Sequence, residues 1–150
     1  GEAKAITVLA ACELGKRRQM ETAEERPDLG TATLIYNHMH PVLQDEDVEE
    51  FWLLLMNQNH RLIKKMRIAR GGISEVSVDV RIIIREAVLA NATILAVCHN
   101  HPSGSLNPSR MDNDLTYTIQ NACRLMRIRF LDHVIITDGA YYSYHEEGLV

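Results

Sequence analysis

Long hydrophobic runs are missing from this sequence of 150 residues. No apolar stretch reaches the roughly 20 residues that a transmembrane helix needs, and no signal-peptide pattern opens the chain. Internal repeats and low-complexity tracts are also absent. These absences exclude a repeat protein and predict a protein without a membrane partner.

Cysteine is scarce. Cys12, Cys98 and Cys123 are odd in number and far apart in the sequence. A disulfide framework in a small secreted protein needs paired cysteines at a higher density. We therefore predict three free thiols in a reducing compartment, and a cytoplasmic location.

An excess of positive charge is missing as well. The sequence has 16 Lys and Arg against 20 Asp and Glu, a net charge of −4. This balance argues against a protein whose main activity is to neutralise nucleic-acid phosphates, although it leaves room for a local basic patch. One basic run could meet a nucleic acid or an acidic partner, but a solvated sheet edge is the commoner origin of such a run. The run consists of Arg61, Lys64, Lys65, Arg67 and Arg70.

The first 30 residues are predicted to form a segment distinct from the rest. Apolar residues at helical spacing predict an amphipathic helix over residues 2–20, with cations in its last turn. Residues 21–30 read as a polar linker, with Pro27 and Gly30 as breakers. We expect this opening to be the tail of a longer protein.

Strands and helices alternate in the remainder, and this order predicts a mixed α/β fold. A short helix or strand and an acidic turn fill residues 31–50. Asn107 or Ser109 is able to cap the second of the later helices. The apolar stripe of that helix is predicted at Leu115, Ile119, Ala122 and Met126. The later elements are a hairpin over 50–72 turned at 57–59, a helix over 78–92, a buried strand over 93–100, a helix within 107–128, and a hairpin over 130–147 turned at Asp138-Gly139.

The stretch "HNHPSGSLNPSRMD", residues 99–112, contains a candidate zinc site. Because the side chains of a strand alternate between faces, His99 and His101 point one way while Cys98 and Asn100 point the other. The following loop reverses direction and delivers Asp112 in the first turns of the next helix. Two imidazoles and a carboxylate make three ligands and leave a fourth position open, as in catalytic zinc sites.

A second His-x-His sequence in the chain serves as a control. "HMHP", residues 38–41, begins in the same way. At the spacing that places Ser109 and Asp112 after His101, however, it has Val48 and Phe51. This stretch therefore lacks the third ligand.

The complete stretch matches the H-x-H-x7-S-x2-D pattern of the JAMM (also called MPN) metalloproteases. The surrounding "HNHPSG…PSR.D" and the later "LDHVIIT" resemble the RadC family more narrowly, and the resemblance runs from about Glu46 to the C-terminus. The opening "GEAKAITVLAACELGKRR" resembles the segment that follows a helix-hairpin-helix domain in full-length RadC proteins. The resemblance implies a cytidine-deaminase-like α/β fold in which helices flank a mixed sheet. It divides the chain into a helical linker, residues 1–30, and a RadC-type JAMM/MPN domain, residues 31–150.

The same resemblance implies roles for individual residues. His99, His101 and Asp112 would hold zinc, and Ser109 would help to stabilise the tetrahedral intermediate. An upstream glutamate would be the general base. Alignment of the apolar strand favours Glu49 for this role, with Glu50 as the alternative.

Three further positions are weighed from the residues themselves. Ser103 could line the site, although a turn-capping role is commoner for a serine in such a loop. His133 is expected to be a hydrogen-bonded structural residue, or at most to support a ligand from behind. Phe51 and Trp52 are expected in the core.

Three functions are compatible with this sequence. The leading hypothesis is zinc-dependent hydrolysis of a peptide or isopeptide bond in a protein or peptide substrate. The second is a role in DNA repair, since RadC proteins are labelled so. In that case the domain would act on DNA or on a repair partner, with DNA bound through the helix-hairpin-helix domain. The third is a non-catalytic MPN scaffold, which the intact motif makes the weakest.

Overall fold

The computed structural model describes residues 1–24, 26–71 and 77–150, and in the first helix it describes side chains up to residue 17. None of the helices in these segments is both long and apolar enough to cross a membrane. The predicted mixed α/β order is confirmed. The elements are α1 (Glu2–Glu24), α2 (Ala32–Leu43), β1 (Glu50–Met56), β2 (Leu62–Arg70), α3 (Val80–Leu89), β3 (Ile94–Asn100), α4 (Arg110–Met126), β4 (Arg129–Thr137) and β5 (Ala140–Ser143).

The five strands form one sheet in the order β2-β1-β3-β4-β5. Neighbours pair antiparallel except β3 and β4, which are parallel and are connected through α4. Both predicted hairpins are present, and Gly139 supplies the positive φ of 88° that the second turn requires. All residues of the central strand β3 are buried, which explains its unbroken apolar sequence.

Helices cover both faces of the sheet. Helix α2 packs on one face, with Trp52, Leu54 and Met56 of β1 turned towards it. Helices α3 and α4 cover the other face, against the intervening residues of β1. Phe51 is 2% exposed and lies in this second core layer, as predicted, whereas Trp52 is half-buried at the edge of the first.

Helix α1 differs from its prediction. It continues beyond the basic cluster to Glu24, so its last turn has no cation. Residues 2–17 are all exposed, and the predicted amphipathic face is therefore wrong for this part of the helix. Its apolar residues have helical spacing but do not pack in the core. By contrast, Leu29, placed in the predicted linker, is 1% exposed and belongs to the core beside α2.

Helix α4 buries part of the predicted stripe: Ile119 is fully buried and Leu115 packs against the core. Its buried residues are Thr116, Ile119 and Cys123, whereas Met126 is 49% exposed. The buried face is thus displaced from the predicted one towards Thr116 and Cys123, and Thr116 contacts His133 of β4. Ser109 rather than Asn107 is its N-cap.

Candidate metal centre

Strand β3 and the residue that follows it place two imidazoles on one face. His99 lies opposite Phe51 of β1, on the face covered by α3 and α4. The backbone remains extended beyond the strand because the amide of His101 donates to the carbonyl of Ile136, 3.0 Å away. Cys98 packs on the α2 face and the side chain of Asn100 binds the backbone of Glu50, so neither points into the site. The predicted alternation of side chains is confirmed.

The loop after His101 turns the chain back towards the histidines. The amide of Gly104 donates to the carbonyl of His101, and Gly104 has a φ of 80°, which suits a residue without a Cβ. Helix α4 then begins with a capping box. The hydroxyl and amide of Ser109 both donate to Asp112 Oδ2 at 2.7 Å, and the Asp112 amide donates to Ser109 Oγ. This reciprocal cap fixes the carboxylate, with Oδ1 turned towards His99.

The three predicted ligands converge. His99 Nε2 lies 2.9 Å from His101 Nε2 and 3.2 Å from Asp112 Oδ1, and His101 Nε2 lies 3.7 Å from Asp112 Oδ2. A tetrahedral zinc with ligands about 2.0–2.2 Å away would separate its donor atoms by about 3.3 Å. Within the described residues this is the one group of three or more potential metal ligands whose donor atoms lie within 4.8 Å of one another.

The hydrogen bonding of His101 also suits a cation. Its Nδ1 lies 2.7 Å from the carbonyl oxygen of Ser105, which can only accept, so Nδ1 has the proton. In a neutral imidazole, Nε2 is then a bare electron pair directed at His99 and Asp112. Electron pairs and a carboxylate directed at one point repel one another until a cation lies between them. The residues therefore fit a zinc ion.

Electrostatics keep the carboxylate ionised. Burial alone would raise the pKa of Asp112. When the two imidazoles are protonated, in the absence of a metal, their hydrogen bonds to Asp112 outweigh burial and lower that pKa far below its usual range. The hydrogen bond to Asp112 raises the pKa of His101, and the negative charge of Glu49 adds to this effect. The site is thus a strongly negative environment.

Glu49 and Glu50 differ sharply in their surroundings. Glu49 is half-buried and lines a cavity together with His99 and His101. Glu50 lies on the opposite face of the sheet, where its side chain is 2% exposed and accepts a hydrogen bond from Arg67 at 2.6 Å. Arg70 lies 3.2 Å from the same carboxylate. The geometry thus favours Glu49 as the candidate base and gives Glu50 a structural role.

The cavity beside the three ligands has a volume of about 520 Å³. Ser103 and Ser109 line its polar part, and the hydroxyl of Ser103 also accepts from the amide of Ser105 at 3.3 Å. Both predicted roles of Ser103, lining the site and capping the turn, are therefore compatible with its position. The apolar part of the wall is formed by Phe51, Val78, Met111 and Leu115.

His133 contacts the site directly. Its Nε2 lies 2.8 Å from His99 Nδ1, and its Nδ1 lies 2.7 Å from the hydroxyl of Thr116. It is completely buried, and burial lowers its pKa well below the ordinary value, with the charge of His99 as a smaller cause. Of the two roles that the sequence left open for His133, it has the one behind a ligand. The "LDHVIIT" motif was the signal for this residue.

The remaining candidates lie away from the site. His38 and His40 are in α2, where His40 Nε2 faces Asp138 at 3.2 Å. Three of the five cations of the basic run are paired with carboxylates: Lys64 with Glu86, Arg67 with Glu50, and Arg70 with Glu46. This pairing favours the sheet-edge interpretation over a nucleic-acid surface.

A mixed α/β sheet that carries a His-x-His pair and an aspartate at one strand-to-helix junction defines a JAB-type domain with a candidate metal centre. The family model of the RadC-like JAB domain matches residues 29–149. The chain belongs to this family, and the resemblance seen in its motifs is confirmed.

The chain is similar to several bacterial proteins named UPF0758 protein. It is 39% identical to that of Flavobacterium johnsoniae over 99% of this chain and 65% of the relative, and 42% identical to that of Porphyromonas gingivalis over 100% and 66%. Identity to the Thermosynechococcus vestitus protein is 42% over 97% and 58%. The chain thus spans less than two thirds of the length of these relatives.

Proposed function

We propose that this domain is a zinc-dependent hydrolase that cleaves a peptide or isopeptide bond. The observation that carries the proposal is the convergence of His99, His101 and Asp112 beside a cavity that Glu49 also lines. Three ligands with an open side are the arrangement of catalytic rather than structural zinc. The cavity provides that open side.

Glu49 is the proton carrier in this proposal. When bound, zinc would polarise the scissile carbonyl and bring the pKa of a water molecule to about 7. The carboxylate of Glu49 takes the proton of the attacking water and passes it to the leaving amine. Its place on the cavity wall, on the same side as His99 and His101, supports this role.

Ser109 has two duties in this scheme. At rest its hydroxyl donates to Asp112 Oδ2 and caps α4. To donate to a developing oxyanion, the hydroxyl must turn away from that carboxylate. The amide of Ser109 continues to hold Asp112 Oδ2 during such a turn, since it donates to the same oxygen.

The wall of the cavity suits an amide between aliphatic groups. Phe51, Met111 and Leu115 lie beside the polar group of ligands. The methylene chain of a lysine in an isopeptide would cover this apolar surface while its amide faces the ligands. DNA is the weaker candidate for this domain, because the net charge of the chain is −4 and Lys64, Arg67 and Arg70 of the basic run are paired with carboxylates.

The experiment is a hydrolysis assay of the zinc-loaded chain on fluorogenic peptides and on peptides with glycyl-lysine isopeptide bonds. We expect cleavage by the wild type and none by Glu49→Gln, which should keep its zinc. Glu50→Gln, assayed below its unfolding temperature, is the matched control and should keep turnover. No cleavage by the wild type, together with salt-dependent DNA binding at physiological ionic strength, would favour the DNA-repair alternative. Zinc binding with neither activity would favour a scaffold.

A further inference from the structure

A register shift in β4 places His133 behind the metal ligands. Leu95 of β3 pairs with Phe130, but Val97 pairs with His133, so three residues of β4 advance against two of β3. In a regular ladder Asp132 would lie opposite Val97. The extra residue instead turns His133 onto the face of His99, and such bulges commonly redirect a side chain beside a functional site.

The hydrogen bonds around His133 have a defined direction. The Thr116 hydroxyl lies 2.6 Å from the carbonyl oxygen of Asp112, which can only accept, so its single proton is used there. Thr116 Oγ1 must then accept from His133 Nδ1, 2.7 Å away. A neutral imidazole has one proton, so His133 Nε2 is an acceptor and takes the proton of His99 Nδ1 at 2.8 Å.

This series of hydrogen bonds leaves a bare electron pair on His99 Nε2. That atom is the one that lies 3.2 Å from Asp112 Oδ1 and 2.9 Å from His101 Nε2. If these hydrogen bonds ran in the opposite direction, His99 Nε2 would have a proton and could not bind a metal. Three elements contribute one side chain each: β3, β4 and α4.

Besides these hydrogen bonds, aromatic packing fixes the ring of His133. Tyr144 stacks on it at a centroid distance of 5.0 Å and an angle of 9°, and Phe51 meets it edge-on at 5.6 Å. The hydroxyl of Tyr144 is itself held by the side chain of Asn113 at 2.7 Å. The ring is thus confined on several sides, so it can hold His99 in one orientation.

We propose that His133 and Thr116 are positioning residues that hold His99 in the Nδ1-protonated tautomer and thereby prepare its Nε2 for the metal. The inference deepens the proposed function, as it concerns the same metal site, but it predicts metal affinity rather than hydrolysis. His101 obtains the corresponding support locally, from the carbonyl of Ser105. His99 depends on the two positioning residues.

The test measures zinc affinity and the His99 tautomer in the same variants. Zinc affinity is obtained by competition with a chelating indicator. The tautomer is read from ¹⁵N shifts of the imidazoles in chelator-treated protein. Thr116→Val removes the hydroxyl and keeps the shape of the side chain, and Thr116→Ser restores the hydroxyl. Thr118→Val is the matched control, because Thr118 makes the same bond to the carbonyl four residues earlier but is exposed.

We expect Thr116→Val to weaken zinc binding about 10- to 100-fold, the range typical for lost support of a ligand. Thr116→Ser and Thr118→Val should stay near the wild type. His133→Leu should lose at least as much zinc affinity. His133→Gln, whose amide can both accept from His99 and donate to Thr116, should recover part of that affinity. If His133→Leu does not fold, Thr116→Val decides.

Two results would overturn the inference. One is wild-type zinc affinity in folded Thr116→Val. The other is an Nε2-protonated His99 in the metal-free wild type. A protein that binds zinc as expected but cleaves no amide would contradict the proposed function and leave this inference standing, because hydrolysis is no part of its test.

Discussion

Glu49 and Glu50 are adjacent in sequence, yet their carboxylates lie on opposite faces of the sheet. Glu49 lines the cavity with His101, and Glu50 is buried against Arg67 and Arg70. The division follows from strand alternation at the start of β1. It separates the candidate base from a carboxylate buried in ion pairs.

Substitution of these two glutamates should therefore give opposite results. Glu50→Ala leaves Arg67 and the indole N–H of Trp52 without their acceptor, while Arg70 keeps its ion pair with Glu46. We expect a loss of about 1–3 kcal/mol in the free energy of unfolding, at the lower end because both arginines reach solvent. Glu49→Ala should change it by less than about 0.5 kcal/mol. Urea titration monitored by circular dichroism checks both, and equal losses would contradict the assignment.

Ser109→Ala should affect stability and metal binding together. The substitution removes the cap of α4, which costs about 1 kcal/mol, and frees Asp112 Oδ2 from the hydroxyl that holds it. The control is Thr31→Ala, which removes the cap of α2 on the other face of the sheet. Both variants should lose similar stability in denaturant titrations, while zinc affinity should fall only in Ser109→Ala.

The thiols should differ in reactivity. Cys12 is exposed in α1, whereas Cys98 and Cys123 are buried, and burial raises the pKa of Cys123 to about 12. Because the thiolate is the reactive form, a thiol-specific reagent at pH 8 should label one cysteine rapidly and the other two only on unfolding. Mass spectrometry of the labelled chain counts them. Rapid labelling of two or three cysteines would show that the core is not packed as described.

Glu86 should make stability depend on pH. Hydrogen bonds from Lys64 and then Arg85 lower its pKa in the folded state. A carboxyl whose folded pKa lies below its unfolded value contributes stability above the unfolded pKa, and this is lost as the pH falls through the folded one. Glu86→Gln should therefore be less stable than the wild type at pH 7. The difference should begin to shrink below about pH 5. A difference that is constant between pH 7 and pH 3 would rule out this linkage.

The sequence predicted most of the sheet, and the convergence of the three candidate ligands, for physical reasons. The apolar run that ends at Asn100 is long enough for one buried strand, and alternation places His99 and His101 together. The N-cap pattern of Ser109 then positions Asp112 in the first turn of α4. These are local rules, which a sequence expresses directly.

What the sequence left open depends on contacts between distant residues. The choice between Glu49 and Glu50 requires the register of β1 against β3, which no local pattern states. The role of His133 depends on the register shift in β4, and Thr116 of α4 is buried where it contacts His133. The exposure of α1 is a property of its surroundings rather than of its apolar spacing.

Metal content of the purified chain is the most direct test of the central claim. The account predicts about one zinc per chain by mass spectrometry after zinc is supplied and excess removed, and nearly none in Asp112→Ala. His40→Ala, which alters the second His-x-His sequence, should keep its zinc. Equal metal content in the wild type and Asp112→Ala, or none in the wild type after zinc is supplied, would contradict the claim that His99, His101 and Asp112 form a zinc site.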